Sequence, residues 1–278
     1  MVIQWYPGHM DKALREMKDN AKLVDAILYV LDARAPISCL NPKFDAIVGT
    51  KPVIMVLNKV DLIADEALKK FEAYFKSKNL AVIALNSTVT NAAKPIIETA
   101  RVLLSEKIER FKAKNINIPL RLMVIGVPNS GKSTLINNVC GNKKAITGDK
   151  PGVTRINQWV KIANGFELLD TPGTLWPAFD VPKTARNLAY IGSIKDDVLD
   201  VEELALAFID DAKVNHFDEL RQRYNLSSSK DVESIEIFNE ICSNRGFMLR
   251  GGEVDYNRGA RAILDDFRKG RMGKIALD

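Results

Sequence analysis

The sequence predicts an α/β protein, in which a mostly parallel sheet flanked by helices is followed by a smaller domain made only of helices. Short apolar runs rich in β-branched residues recur between helical stretches without clean alternation, as expected for parallel strands buried on both faces. Beyond residue 177 the pattern is wholly helical. A chain of 278 residues, 46% hydrophobic and 27% charged, is long enough for one large and one small domain.

The first half of the chain alternates predicted helices and strands. Helical periodicity predicts helices over 10–23, 66–78 and 92–113, and a Pro-Gly turn precedes the first of them. Buried strands are expected over 25–31, 51–58 and 80–87. A further strand, LMVIG, begins at residue 122 and leads through a loop to the helix STLINNV. Strands that alternate with helices in this way favour parallel pairing.

The loop between that strand and that helix has the spacing of a phosphate-binding loop. Gly126 is followed after four residues by Gly131, Lys132 and Ser133. The glycines let backbone N–H groups turn toward phosphate oxygens, and the start of the helix adds its positive end. We expect Lys132 to reach the β- and γ-phosphates and the Ser133 hydroxyl to bind Mg²⁺. The remaining predicted phosphate contacts are Pro128, Asn129, Ser130 and Thr134.

A second polar motif, NKVD, closes the predicted strand at 51–58. The Asp61 carboxylate can accept hydrogen bonds from guanine N1–H and the 2-amino group, which adenine cannot offer. The Asn58 amide can hold the edge of the base, and the stem of Lys59 can lie on its ring. Four such residues also occur at ordinary strand ends, but a phosphate-binding loop in the same chain favours guanine recognition.

Three further segments complete the predicted nucleotide site. The strand at 80–87 leads to NST, where a backbone N–H of Ser87 or Thr88 would meet guanine O6. The polar, glycine-rich stretch 145–158 is typical of a mobile loop, whose Thr154 could give Mg²⁺ a second hydroxyl. The runs WVKIA and FELLD join through Asn-Gly, a hairpin signal. The second run ends in DTPG, where Asp170 can hold Mg²⁺ through water and Gly173 can meet the γ-phosphate.

The predicted helical domain, residues 179–278, is basic toward its end. Its arginines and lysines lie among four glycines and beside Tyr256 and Phe267; they are Arg245, Arg250, Arg258, Arg261, Arg268, Lys269, Arg271 and Lys274. Two interpretations remain open, a solvated face and an RNA-binding surface. The net charge of +5 admits a nucleic-acid partner without requiring one.

Composition excludes several other classes of protein. The three cysteines are widely spaced, so neither a disulfide framework nor a zinc site is indicated. The N-terminus lacks the apolar core of a signal peptide, and no apolar run approaches the ~20 residues of a membrane span. We expect a cytoplasmic monomer without membrane contact.

The order of the motifs is rotated relative to most GTPases, in which the phosphate-binding loop comes first and NKxD last. A compact domain tolerates such a permutation, because its termini often lie close together. The sequence resembles the circularly permuted GTPases, most closely the ribosome biogenesis GTPase A family, also called YlqF or RbgA. The resemblance rests on QWYPGHM, DAR, NKVD, GVPNSGKST, KPGVT, DTPG and GGEVDYNRGA, which span nearly the whole chain. It implies a permuted GTPase domain over residues 1–178.

The resemblance also implies a function and two site residues. The function is GTP hydrolysis coupled to late assembly of the large (50S) ribosomal subunit, with the helical domain touching ribosomal RNA. Thr174 stands where many GTPases place a water-orienting Gln, and the family offers His9 instead, in a catalytic set with Lys132 and Thr154. A structural turn histidine is the alternative for His9. Asn129 occupies a K⁺-binding position, or is a loop Asn that bonds its own backbone.

Two other functions remain open at this point. One is a scaffold that binds RNA and uses the nucleotide only to switch its affinity. The other is a GTPase of the tRNA-modification type.

Overall fold

The computed structural model describes residues 3, 6–89, 91–115, 117–141, 158–177 and 179–278. Within them a six-stranded sheet runs in the order β3-β2-β1-β4-β6-β5. Its strands are β1 Ala26–Asp32, β2 Val53–Asn58, β3 Ala81–Leu85, β4 Leu120–Ile125, β5 Gln158–Ile162 and β6 Phe166–Asp170. All pairs are parallel except β5 with β6. The predicted, mostly parallel sheet is confirmed, and so is the hairpin at residues 163–165.

The sheet is buried on both faces, which explains the lack of alternation in its strands. Every residue of β1 is buried. Ile27, Tyr29 and Leu31 face one apolar cluster, whereas Leu28 and Val30 face another. Side chains that alternate between two covered faces must be apolar at every position.

The helices of the first part are α1 Gly8–Ala21, α2 Asp45–Val48, α3 Asp65–Ser77, α4 Ala93–Leu103, α5 Ser105–Ala113 and α6 Lys132–Cys140. The helical stretch predicted over 92–113 is present as two helices, α4 and α5, because the chain leaves helical geometry at Leu104 (φ −105°, ψ 14°). Leu104 is buried against the cluster that holds Ile96 and Ala100, whereas α5 buries no side chain. The break between α4 and α5 thus coincides with a residue that packs in the core.

The second part is helical throughout, as predicted, with α7 Pro182–Tyr190, α8 Val201–Asn215, α9 Phe217–Tyr224, α10 Ser234–Arg245 and α11 Tyr256–Arg268. These helices share one apolar cluster with the α1 and α3 side of the sheet. Phe208 lies at the centre of this helical packing, with its ring 5.2 Å from Tyr190 and 4.9 Å from Phe267. The division of the chain at residue 178 stays a prediction, since that residue lies outside the described ranges.

Two expectations drawn from composition can be compared with the structure. Within the described part of the chain, none of Cys39, Cys140 and Cys242 forms a disulfide. Among the residues described, no helix is long and apolar enough to cross a membrane.

Polar residues close several of the parallel strands at one edge of the sheet. Asp32 ends β1 and pairs in register with Asn58, which ends β2. Asp170 ends β6 opposite Val124 of β4. Because parallel strands point their carboxyl ends to the same edge, motifs far apart in the sequence meet there.

Candidate functional site

The phosphate-binding loop lies between β4 and α6 and encloses the Lys132 ammonium group. The Lys132 side chain is only 6% exposed. Its Nζ donates to the carbonyl oxygens of Gly126, at 3.1 Å, and Val127, at 2.8 Å. The lysine of the loop thus lies against the backbone of the same loop, where the spacing of the motif places it.

Burial shifts the pKa values of Lys132, in this loop, and Asp170, at the end of β6, in opposite directions. Burial lowers the pKa of Lys132 to about 8, although the nearby Asp170 carboxylate opposes the shift. Burial raises the pKa of Asp170 to about 6, opposed by Lys132 and by the Thr171 backbone N–H. In both cases burial disfavours the charged form of the group. A phosphate group would add a second anionic partner for this ammonium group, beside Asp170.

Asn58 joins the phosphate-binding loop to the loop that follows β3. Its Nδ2 donates to Ser130 O at 2.9 Å, and its Oδ1 accepts from the backbone N–H of Ser87 at 3.1 Å. Gly131 lies directly against it, with φ of +94° and its missing Cβ position 2.1 Å from the Asn58 amide nitrogen. This buried amide therefore holds two nucleotide-facing loops together, while a direct contact to the base edge stays a prediction.

The rest of NKVD lies at the mouth of the same site. Lys59 has a left-handed backbone, with φ of 63°, and its Nζ donates to Asn129 O at 2.7 Å. Asp61 lies in the short 3₁₀ turn Val60–Leu62 and is exposed. The Thr88 backbone N–H is directed at Asn86 Oδ1, at 2.9 Å, in a local turn. Asn58 and Lys59 thus both bond to the phosphate-binding loop, and Asp61 follows them by two residues; recognition of guanine by these residues stays a prediction.

The DTPG segment crosses over the phosphate-binding loop. The Thr171 hydroxyl donates to Val124 O at 2.6 Å, and the Thr174 N–H donates to Gly126 O at 3.3 Å. The Thr174 hydroxyl is buried and has no hydrogen-bond partner within the described part of the chain. Such a group cannot orient water in the way that a Gln amide does.

Gly173 lies so close to the loop that no side chain fits there. A Cβ would lie 2.8 Å from Lys132 Nζ and 2.8 Å from both Pro128 N and Cα. We expect Gly173→Ala to push DTPG off the loop and to lower GTP turnover by about a hundredfold, since a displacement near 1 Å has effects of this size. Steady-state phosphate release measures it.

A matched control for Gly173→Ala is Gly141→Ala, at the end of α6. Among the residues that the structure describes, no atom lies within 4 Å of a Cβ built there. We expect that variant to lose stability through its positive φ but to keep turnover while folded. Equal turnover by Gly173→Ala and the parent protein would show that DTPG and the loop need not approach closely.

The residues present suit Mg²⁺. Asp170 Oδ1 is buried and unpaired among the residues described. Ser133 and Thr134 lie in the first turn of α6. Hydroxyl and carboxylate oxygens are the ligands that Mg²⁺ prefers. Thr154, the other predicted ligand, lies outside the described residues, as does the side chain of His9, whose backbone belongs to the first turn of α1.

Sequence reasoning missed the contacts of this site with the helical part. The Asn129 amide donates to Gly192 O at 2.7 Å, and the Ser193 hydroxyl donates to Pro128 O at 2.7 Å. It included Asp32 in the motif DAR but assigned it no contact, whereas Asp32 binds Lys59 at 2.8 Å. An acidic residue at the end of a buried strand, at the same sheet edge as NKVD, was the signal available for Asp32.

Comparison with known proteins identifies close relatives along the whole chain. A family model described as 50S ribosome-binding GTPase matches residues 121–240. Ribosome biogenesis GTPase A of Bacillus cereus is 39% identical over 100% of this chain and 94% of its own length. The Thermotoga maritima protein of the same name is 30% identical over 99% and 94%. The crystal structure of GNP-bound YlqF from T. maritima matches with a TM-score of 0.65 and 27% identity, over 96% of this chain and 97% of that one.

Proposed function

The chain belongs to the ribosome biogenesis GTPase A family, and from this we propose that it hydrolyses GTP in late assembly of the large (50S) ribosomal subunit. The observation that carries the proposal is the convergence of the phosphate-binding loop, NKVD and DTPG at one edge of the sheet. The names of relatives that match the full chain support the ribosomal target. A cytoplasmic location and ribosomal RNA as partner follow from this proposal.

The phosphate half of the site consists of residues of the loop and the turn of α6. Lys132 would exchange the carbonyls of Gly126 and Val127 for β- and γ-phosphate oxygens, which are stronger acceptors for an ammonium group. Ser133 and Thr154 would hold Mg²⁺, with Asp170 behind through water. The metal ion would neutralise charge on the phosphates during the transfer.

The base half consists of NKVD and the loop after β3. Asp61 would accept from guanine, and the stem of Lys59 would lie on the ring while its Nζ stays on Asn129 O. A backbone N–H of Ser87 or Thr88 would reach guanine O6 by exchanging its present acceptor, Asn58 Oδ1 or Asn86 Oδ1, for the base. Asn58 supports both loops from below, through the hydrogen bonds described above.

We extend the proposal to a K⁺ ion held by the Asn129 amide oxygen. Asn129 lies on the phosphate-binding loop with a left-handed φ of 59°, and its amide nitrogen is directed toward Gly192. The amide oxygen is then the atom that would ligate the cation. A cation beside the phosphates supplies the charge that an arginine finger supplies elsewhere.

His9 is the group that we propose to position the attacking water. The neighbouring Met10 accepts a long hydrogen bond at Sδ from Leu175 N, at 3.5 Å, two residues after Gly173. The first turn of α1 therefore lies beside the segment that follows DTPG. We expect slow hydrolysis by the protein alone and faster hydrolysis on the ribosomal precursor, which would order the loops around His9.

The basic residues near the C-terminus are the proposed RNA contacts, but not all of them suit this role. Arg250, Arg258 and Arg261 are exposed. Arg268 instead binds Asp196 within the helical part, with Nη1 to Oδ2 at 2.7 Å. Phe267 is buried and cannot stack on a base. The proposed surface thus centres on the turn at 248–254 and the start of α11.

The test of this function is GTP turnover with and without large ribosomal subunits, in K⁺ and in Na⁺ buffer. We expect stimulation of at least about tenfold by subunits, and a further dependence on K⁺. His9→Ala should keep GTP binding but lose the stimulation. A scaffold that only switches affinity would bind subunits in a nucleotide-dependent way with no change in turnover, and that result would overturn the proposal.

A further inference from the structure

Asp32 and Arg34 form a buried ion pair beside the nucleotide site, and Arg34 has no role in the function proposed above. Asp32 closes β1, and Arg34 follows two residues later; both side chains are almost fully buried. Arg34 Nε donates to Asp32 Oδ1 at 2.9 Å, and Nη2 donates to Oδ2 at 2.7 Å. Two parallel hydrogen bonds of this kind fix the plane of the carboxylate.

The fixed carboxylate also holds Lys59 of the guanine-recognition motif. Lys59 Nζ lies 2.8 Å from Asp32 Oδ2, in addition to its hydrogen bond to Asn129 O. Burial alone would raise the pKa of Asp32, but the Arg34 and Lys59 charges hold that pKa well below its usual range. Asp32 therefore stays ionised and anchors the Lys59 ammonium group.

Arg34 gains its own rigidity from the helical part of the chain. Its Nη1 donates to the carbonyl oxygens of Phe267, at 3.3 Å, and Arg268, at 3.2 Å, at the end of α11. The guanidinium carbon lies 4.9 Å from the centre of the Phe267 ring. A positive charge at a helix C-terminus is favourable, because it meets the unpaired carbonyls and the negative end of the helix dipole.

A second path leads from the same place back to the nucleotide site. The side chain of Arg268 donates to Tyr190 O at 3.0 Å and Ala189 O at 2.9 Å, where α7 ends. The next turn accepts the Asn129 amide at Gly192 O. Hydrogen bonds and ion pairs thus form a closed circuit from Asp32 through Arg34, α11, α7 and the phosphate-binding loop to Lys59.

We propose that Arg34 is a positioning residue for guanine nucleotide binding. It acts through Asp32 on Lys59, and it connects base recognition to the position of the C-terminal end of α11. The proposal rests on the proposed GTP function. Without Arg34, the carboxylate of Asp32 loses the partner that sets its plane. Of the two groups that hold Lys59 Nζ, Asp32 Oδ2 is then no longer fixed in position, and only Asn129 O is. The Lys59 stem must then be ordered at the moment of binding, at the cost of side-chain entropy.

Arg34→Ala is expected to weaken GTP and GDP binding by a similar factor of about ten, because Lys59 contacts the base and not the γ-phosphate. The measurement is equilibrium binding of fluorescently labelled GTP and GDP to the full chain, at a temperature where circular dichroism shows the variant folded. Arg34→Lys keeps the charge but loses the paired hydrogen bonds. It should weaken binding about threefold, and it replaces Arg34→Ala if that variant fails to fold.

The matched control is Arg186→Ala. Arg186, on α7, also makes a paired contact, with Asp211 at 3.0 and 3.1 Å, but its guanidinium group bonds to Asp211 and not to a group of the circuit. Its loss should lower stability without changing nucleotide affinity. If loss of stability alone weakened nucleotide binding, Arg34→Ala and Arg186→Ala would both bind more weakly.

A double-mutant cycle with Lys59→Ala separates positioning from a structural role. If Arg34 acts through Lys59, Arg34→Ala weakens binding in the parent but changes little in the Lys59→Ala background. Unchanged affinity in the parent background, or an equal loss in both backgrounds, would overturn the inference. Failure of the parent protein to bind GTP would overturn the proposed function instead, so the two failures can be distinguished.

Discussion

Replacing Lys132 with alanine is expected to abolish measurable GTP turnover and to weaken GTP binding by a hundredfold or more. Its ammonium group is the only lysine donor enclosed by the phosphate-binding loop among the residues described. At a buried position, a hydrogen bond from a charged donor to a phosphate contributes far more to the free energy of binding than the ~1 kcal/mol of an exposed ion pair. Phosphate release and calorimetric binding of GTP measure the two losses.

The same substitution is not expected to lower the unfolding temperature by more than a few degrees. Burial lowers the pKa of Lys132 to about 8, which means that the folded state disfavours its charged form at neutral pH. Alanine removes this cost together with two hydrogen bonds, and the effects oppose one another. Lys70→Ala, on the exposed side of α3, serves as control. Turnover by Lys132→Ala within tenfold of that control would contradict the assigned role.

The phosphate-binding loop was predictable because its contacts are local. Lys132 bonds to carbonyls only five and six residues earlier in the chain. Loop, strand and helix are contiguous, so residue spacing alone determines which groups meet. The hairpin between β5 and β6 was predictable for the same reason. NKVD and DTPG required one further step, the rule that parallel strands end at the same edge of a sheet.

The contacts between the site and the helices were not predictable in this way. Arg34 bonds to carbonyls 233 and 234 residues later, and Asn129 bonds to a carbonyl 63 residues later. No periodicity links positions so distant. The sequence marks Arg34 only as part of the motif DAR, and nothing in it indicates that this side chain is buried between Asp32 and two backbone carbonyls of α11. The break at Leu104 likewise coincides with packing in the core.

The side chain that distinguishes guanine from other bases is expected to be Asp61. We expect Asp61→Asn to weaken GTP binding by about 10²–10³-fold and to strengthen binding of xanthosine triphosphate by a comparable factor. A carboxylate accepts from both guanine N1–H and the 2-amino group, and each such bond to a charged acceptor contributes about 1.5–3 kcal/mol. In an asparagine, the amide oxygen can accept from guanine N1–H, but the NH₂ group then faces the 2-amino group, which is also a donor. Xanthine carries an oxygen at position 2, which accepts from that amide.

Competition of labelled nucleotide by GTP and xanthosine triphosphate measures this exchange. Asp65→Asn makes the same change of charge four residues later, at an exposed position on α3, and should leave the preference for guanine intact. If Asp61→Asn bound both nucleotides as the parent does, guanine selection would have to lie in the backbone at Ser87 and Thr88.

Turnover of xanthosine triphosphate by Asp61→Asn then tests how the two halves of the site are joined. Asp61 is exposed at the rim, whereas Asn58 and Lys59 bond to Ser130 O and Asn129 O of the phosphate-binding loop. If only those two residues connect base recognition to the loop, the variant should hydrolyse bound xanthosine triphosphate at close to the parental rate for GTP. A saturating rate more than tenfold lower would show that the Asp61 carboxylate also orders the phosphate half.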